Sequence, residues 1–288
     1  MVFNEHAEGV PIVLVHGFLL GWGSWAANID SLTRNHPVYA FDILGFGRSS
    51  RPPQLLPSDW VDTLEQWRLY LKIDKMVLVG FSVGGYIAAK YTIKYPHGVA
   101  HLILADPWGF APIPEPIPSI AQYRTPFWIK YISLGSKYFD VWWMHIRLPG
   151  PIIGLEVLSR SMYADFIGKY VVLGVGGVDA FRKYMLYCNV GLPMGEAAYR
   201  EIMSSIVYAK EPLHDKMHLI RKDIGVTYIY GESSFMPHLD LGDIFNARGF
   251  DDGIKVYEFP NSGHDVFLDR RVHFNNLVNE IAAKIIKL

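Results

Sequence analysis

The sequence contains a single cysteine, Cys188, so no intramolecular disulfide can form, and such sparing cysteine use fits a reducing compartment. Cys188 lies far from any His-containing motif and reads as a small, partly buried apolar residue. Neither sign of charge is in excess: Lys plus Arg is 27 and Asp plus Glu is 28, for a net charge of −1. A nucleic-acid binder usually shows a basic excess, so the balance argues against that class. No uninterrupted apolar run approaches the ~18 residues of a membrane-spanning helix. The N-terminus, MVFNEHAEGVP, lacks both a basic start and an apolar core and does not read as a signal peptide. There is no internal repeat, and no low-complexity tract beyond a short Pro-rich piece. These absences predict a soluble or at most peripheral cytoplasmic protein. The chain has 288 residues, half of them hydrophobic and only 19% charged. That is enough for one large α/β domain, or two small ones, with a substantial core.

Four apolar, β-branched runs come early: Val10 to Gly17, Pro37 to Ile43, Lys75 to Ser82 and Val99 to Pro107. Each has the continuous apolar character of a strand buried on both faces. Helical patterns flank the third, over Asp59 to Leu71 and Gly84 to Tyr95. Such alternation predicts a mostly parallel sheet covered by helices on both sides. The pattern then breaks at five prolines within the twelve residues from Pro107 to Pro118. Strand signals return at Gly225 to Glu232 and Ile254 to Gly263, and a final helix is expected over Asp269 to Lys287. The organisation predicted is a core of residues 1–107 and 223–288, interrupted by a helical insertion over 108–222. About 110 residues is too long for an ordinary connection.

Gly80-Phe81-Ser82-Val83-Gly84 matches G-x-S-x-G, a nucleophile elbow. The five-residue string recurs by chance, and its placement between a β-branched run and a helical pattern is the confirming context. A Gly-rich turn with an incidental serine is the plain alternative. A serine hydroxyl needs a base to take its proton. His264 follows the last strand and a glycine, ahead of the final helix, where a base over the elbow belongs. His101, His145 and His273 read instead as surface or packing histidines. An oxyanion needs donors. The N–H groups of Val83, just after the serine, and Phe18, in VHGF after the first strand, are the candidates. His16-Gly17 would let the chain turn there.

With these motifs in order, the chain resembles the α/β-hydrolase superfamily, and DILGFGRSSRP over Asp42 to Pro52 strengthens the match. More narrowly, PVYAFDILGFGRSSRP, KYTIKYPHGVAHLILADPWGF and HDVFLD resemble the alpha/beta-hydrolase-domain 4 and 5 branch. That branch contains lysophospholipase and N-acyl-phospholipid lipases, and a lipid-droplet coactivator of triglyceride lipase. The resemblance implies an α/β-hydrolase fold with a helical lid inserted after the fourth parallel strand. It implies hydrolysis of acyl esters of lipids, with no metal or organic cofactor. Non-catalytic coactivation of a lipase partner at lipid droplets and acyl transfer to lysophosphatidic acid are the alternatives. Coactivator members carry asparagine at the elbow, where this chain has Ser82. Members also begin with an antiparallel hairpin, which this sequence lacks ahead of its first parallel strand.

The acid that orients His264 is ambiguous. In the family an aspartate stands six residues after the glycine of the strand that here ends at Gly231, and this chain has Pro237 there. Asp240 ranks first, Asp106 second and Glu232 third; Asp106 also reads as a loop-ordering residue ahead of Pro107. His264 and Asp269 form an H-x-x-x-x-D spacing that this branch associates with acyl transfer, but Asp269 stands where a helix N-cap is expected. The insertion is rich in aromatics: Phe127, Trp128, Tyr131, Tyr138, Phe139, Trp142 and Trp143. They fit either a lipid interface near Lys130, Lys137 and Arg147 or the insertion's own small core. An apolar lid over a serine points to an acyl chain rather than a sugar or peptide.

Overall fold

The structure is a computed structural model, and it describes residues 1–114, 164–174, 176–205, 207–239 and 253–285. The aromatic group Phe127 to Trp143, His145 and Asp240 lie outside the described residues.

Apolar β-branched runs become strands and the periodic runs between them become helices. In chain order these are β1 (Val2–Phe3), β2 (Ile12–Val15), α1 (Ala26–Leu32), β3 (Val38–Phe41), α2 (Pro57–Tyr70), β4 (Met76–Phe81), α3 (Val83–Lys94) and β5 (Val99–Ala105). The insertion contributes α4 (Ala164–Val172), α5 (Val178–Asn189), α6 (Met194–Ile202) and a small antiparallel pair, β6 (Met203–Ser205) with β7 (Tyr208–Ala209). The core then resumes with β8 (Gly225–Gly231), β9 (Ile254–Phe259), α7 (Val266–Asp269) and α8 (Arg271–Ala283).

Among the described residues, seven strands form one sheet in the order β1-β3-β2-β4-β5-β8-β9. All neighbours in it are parallel except β1 with β3. Period-two alternation divides the sheet's side chains between two cores. Val13, Val15, Leu78, Leu102 and Leu104 pack towards α2 and α3, while Ile12, Leu14, Val77, Val79 and Ile103 pack towards α1 and α8. Each of these strand side chains is fully buried, a contribution of about 1.5–3 kcal/mol apiece before chain entropy is counted. The sequence therefore reads as continuously apolar because both faces are covered.

Two expectations change. The final helix is two helices, broken at Arg270 (φ −120°, ψ 41°), so Asp269 closes the short α7 rather than capping a helix that starts there. The insertion holds the β6–β7 pair besides its helices. The edge beside β3 carries the two residues of β1, with Val2 opposite Tyr39 and Phe3 opposite Val38.

The site's position follows from strand order. The chain leaves β2 for β3 on one side and returns to β4 on the other. At such a reversal the loops leaving the carboxyl ends of the two strands diverge and open a crevice.

Candidate active site

β4 ends at Phe81 and α3 begins at Val83, so Ser82 alone turns the chain. It does so at φ 53° and ψ −121°, a conformation that costs a non-glycine residue on the order of 1–3 kcal/mol. The surroundings hold it there. Ser82 N–H donates to the Ala105 carbonyl at 3.1 Å, and the Ser82 carbonyl accepts from Gly85 at 2.9 Å and Trp108 at 3.1 Å. The flanking glycines permit the close approach. A Cβ on Gly80 would sit 2.4 Å from the Gly84 carbonyl oxygen, and one on Gly84 would sit 2.4 Å from the His16 carbonyl oxygen. Both obstacles are backbone and cannot swing away.

His16 braces the neighbouring loop. It is fully buried, and burial lowers its pKa, so the ring is neutral. Ile43 N–H donates to His16 Nε2 at 2.9 Å, which puts the ring proton on Nδ1, where it is donated to the Gly17 carbonyl at 2.8 Å. A trans peptide directs its C=O and N–H oppositely. Fixing the Gly17 carbonyl therefore fixes the Phe18 N–H on the far side of the same peptide. Gly17 packs against Ser82, since a Cβ there would lie 3.3 Å from the Ser82 Cβ. Val83 N–H is one of the first helical donors, which have no partner within their own helix. Phe18, on the loop after β2, and Val83, at the first turn of α3, thus flank the serine.

His264 lies between β9 and α7 and is held on three sides. Its ring packs on Phe81 at 4.7 Å and on Phe235 at 4.8 Å between centroids. Its Nδ1 is 2.5 Å from Asp106 Oδ2. Asp106 terminates β5, the strand next to the elbow strand, with Ala105 in register with Phe81. It is fully buried, at φ 42°, and its carboxylate also accepts from Ser234 Oγ at 2.5 Å and Gly231 N–H at 3.2 Å. A buried carboxylate is expensive unless its oxygens are occupied, and here both are. His238 Nε2 lies 3.8 Å from the remaining side, at Oδ1.

The structure therefore brings Ser82, His264, Phe18 and Val83 to one crevice. The carboxylate at His264 is Asp106, second in the sequence ranking. Asp240 lies outside the described residues, and Glu232 is turned away, accepting Asn261 N–H at 2.8 Å. Asp106 also holds the segment after β8, through Gly231 N–H and Ser234 Oγ, rather than the loop ahead of Pro107. Asp269 accepts Gly263 N–H at 2.8 Å and pairs with Lys169 at 2.9 Å. Ser234 and Lys169 escaped sequence reasoning: neither belongs to a motif, and only the fold brings them near His264. His101 bonds Thr227 Oγ1 at 2.8 Å between strands, and His273 packs on Phe259. Cys188 is buried, and burial pushes its thiol up to about 12, so it is unreactive.

Aromatic rings of the core pack against the loop that carries Phe18. Phe18 lies 5.8 Å from Phe46 and 4.4 Å from Tyr199 of α6, which in turn lies 4.9 Å from Trp108. Among the described residues there is no cluster of three His, Cys, Asp or Glu side chains placed to hold a metal ion.

Comparison with known proteins agrees with this geometry. Residues 10–128 match the family model described as alpha/beta hydrolase fold. The 1-acylglycerol-3-phosphate O-acyltransferase ABHD5 of Rattus norvegicus is 37% identical over 288 residues, covering 98% of this chain and 79% of the relative. The (lyso)-N-acylphosphatidylethanolamine lipase of Homo sapiens is 36% identical over 292 residues, covering 99% and 82%. Among solved structures, an enol-lactonase from Burkholderia xenovorans superposes with a TM-score of 0.69 at 15% identity, covering 99% of this chain and 95% of that one. A thermophilic esterase from Thermogutta terrifontis gives 0.66 at 20% identity, covering 99% and 92%. At those identities the solved structures speak for the fold alone. The elbow and the relatives together place the chain: it belongs to the α/β-hydrolase superfamily, in the alpha/beta-hydrolase-domain 4 and 5 branch.

Proposed function

We propose that this protein is a serine hydrolase of acyl-lipid esters, with lysophospholipids or N-acyl phospholipids as the substrate class. In this reading Ser82 Oγ adds to the acyl carbonyl while its proton passes to His264. Phe18 and Val83 N–H groups hold the oxyanion, and Asp106 keeps the His264 proton on Nδ1 and stabilises the imidazolium. Collapse breaks the ester bond, and the departing alcohol takes the proton from His264. Water, deprotonated by the same ring, then releases the fatty acid and restores Ser82. The reading is carried by one observation: a buried carboxylate 2.5 Å from the imidazole that packs against the elbow. The apolar packing of Phe46, Trp108 and Tyr199 around Phe18 makes this side of the site apolar, as an acyl chain requires, and the lipase name of a 36% identical relative supports the lipid class. Residues 108–222 act as the lid, and the protein meets its substrate at the surface of a droplet or intracellular membrane. Among the described residues no helix is long and apolar enough to cross a membrane.

Acyl transfer is the second reading, favoured by the acyltransferase name of the 37% identical relative. It uses the same acyl-enzyme with a lysophosphatidic acid hydroxyl in place of water. A fluorophosphonate probe and a product assay separate the readings. The hydrolase reading expects the probe to label wild type and not Ser82→Ala, and expects free fatty acid from lysophospholipid or N-acyl phospholipid. Product appearing on lysophosphatidic acid instead selects transfer. Absence of labelling in wild type removes both, and leaves coactivation of a lipase partner, to be read by co-precipitation and by flotation with lipid droplets.

A further inference from the structure

Lys169 of α4 joins the insertion to the loop that carries His264. The helix is anchored by neighbours on one of its faces. Phe166 and Tyr170 are buried in the core that holds Val266 and Phe267, and Tyr170 donates to the Ser24 carbonyl. Lys169, one position before Tyr170 and three after Phe166, projects on that same side. Its ammonium lies 2.9 Å from Asp265 Oδ2 and 2.9 Å from Asp269 Oδ1. Its side chain is 19% exposed, and those of the two aspartates 17% and 13%. Burial works against the charge on Lys169, yet the two carboxylates outweigh it and hold its pKa above the ordinary value. Burial in turn raises Asp265, whose charge Lys169 favours.

The three groups bracket His264 in the chain. Asp265 follows it directly. Asp269, with one oxygen on Lys169, uses the other to accept Gly263 N–H, the peptide just before it. Both backbone neighbours of His264 are therefore fixed through a cation supplied from about a hundred residues away. A ring that must meet both a serine oxygen and Asp106 tolerates little displacement: an ångström of misplacement costs about a hundredfold in rate.

We propose that Lys169 is a positioning residue of the reaction, holding the His264 loop through Asp265 and Asp269, and that the H-x-x-x-x-D aspartate, Asp269, serves this clasp rather than the chemistry. The proposal rests on His264 being the catalytic base. Its consequence is that the insertion and the base are mechanically one unit.

The test uses the full chain and four variants: Lys169→Met, Lys169→Arg, Asp269→Asn, and Lys169→Met combined with Asp265→Asn and Asp269→Asn. The triple variant carries no buried unpaired charge and guards against simple misfolding. Turnover per folded molecule on a soluble ester, the fluorophosphonate labelling rate and the downfield proton resonance of His264 Nδ1–H on Asp106 are read together. Lys169→Met and the triple variant are expected to lose ten- to a hundredfold in kcat with KM nearly unchanged, and to broaden the resonance. Lys169→Arg restores most of the turnover. Asp269→Asn keeps an acceptor for Gly263 and loses less than Lys169→Met. Full kcat in Lys169→Met or the triple variant, with a sharp His264 resonance and only a lower Tm, would overturn the proposal. The resonance also protects the test from the broader reading. If wild type neither labels nor turns over, the hydrolase reading fails, while the resonance still reports whether Lys169 holds His264.

Discussion

In the proposed reaction single side chains divide the work unequally, and Asp106 takes the most demanding share. It sits fully buried at a positive φ and gives its oxygens to His264, Ser234 and Gly231. Asp106→Asn presents an amide where the Nδ1 proton needs an acceptor. Turnover on a soluble ester, normalised to folded protein, should fall by about a thousand- to ten-thousandfold, with Asp240→Asn within about twofold of wild type. The reverse order of losses would return the acid role to Asp240. The glycines of the elbow allow a second comparison. In an exposed helix Gly→Ala gains about 1 kcal/mol, but at Gly84 the new methyl meets the His16 carbonyl oxygen at 2.4 Å. Overpacking against backbone costs about 1–3 kcal/mol, so Gly84→Ala should lower urea-derived stability and also slow turnover by shifting the Phe18 loop. An unchanged kcat with raised stability would sink that account. The positions of Ser82, His264, Phe18 and Val83 on strand ends and turns were legible in the sequence because each has a local signature: a G-x-S-x-G corner, a histidine after the last strand, the residue after the serine, a turn after the first strand. The carboxylate proposed as the acid, Asp106, has none. Its partnership spans 158 positions and depends on which strand end lies beside the elbow, a matter of register that periodicity does not report.

Between elements, a buried polar cluster joins α2 to α3. Glu65 of α2 accepts from Arg68 Nε and Nη2 at 2.9 and 2.8 Å and from the Tyr91 hydroxyl of α3 at 2.5 Å. Arg68 also caps the carbonyls of Ile73 and Asp74, so one cluster ties α2, α3 and the approach to β4. The Arg68 guanidinium, aided by Tyr91, holds the Glu65 carboxyl down at about 2. Because the folded pKa is depressed, the stabilisation is fully present above the unfolded value near pH 4.5 and is lost as pH falls towards about 2. The shift corresponds to about 3 kcal/mol. Glu65→Gln should be the less stable protein in urea at pH 7, with the gap to wild type closing progressively between pH 4.5 and 3. A gap that stays constant over that range would show that Glu65 is not the group titrating. At this scale the five expected strands up to β8 and the two helices flanking the elbow strand were legible to within a residue or two, since their apolar periodicity is long and uninterrupted, while β9 stops four residues short of the expected end. The break at Arg270 and the β6–β7 pair were not. Both are short, and the residues that make them, such as Asp269 on Gly263 N–H, are engaged by contacts outside their own segment.

For the molecule as a whole, a parallel sheet leaves two edges, and each needs a way to avoid pairing with another chain. At the β9 edge, Lys255 and Glu258 are exposed and place charge along the strand. Among the described residues, the strand paired at the other edge is β1. Its two residues pair with Val38 and Tyr39, the Met1 ammonium donates to the Ala40 carbonyl at 2.7 Å, and Phe3 packs on Trp22 at 5.9 Å. Beneath it, β3 is the apolar run VYAF with no charged residue. Removing residues 1–3 would open that run as an unpaired edge, at the cost of one peripheral core contact, Phe3 on Trp22, and without touching Ser82, His264 or Asp106. The expected outcome is a protein that keeps its far-ultraviolet circular dichroism and its turnover when dilute. As concentration rises it should self-associate in sedimentation velocity, with wild type staying as it was. Adding a lysine within the exposed run, as Ala40→Lys would, buries a charge against β2 and is a poor control. Tyr39→Lys is better, because Tyr39 is only partly buried and packs beside Trp67 at the margin of the core. That change in the shortened chain should suppress the association, since a charge on an edge strand blocks pairing. Association that persists with Tyr39→Lys would mean the contact forms elsewhere, and would leave β1 as a short strand with no protective part in the fold.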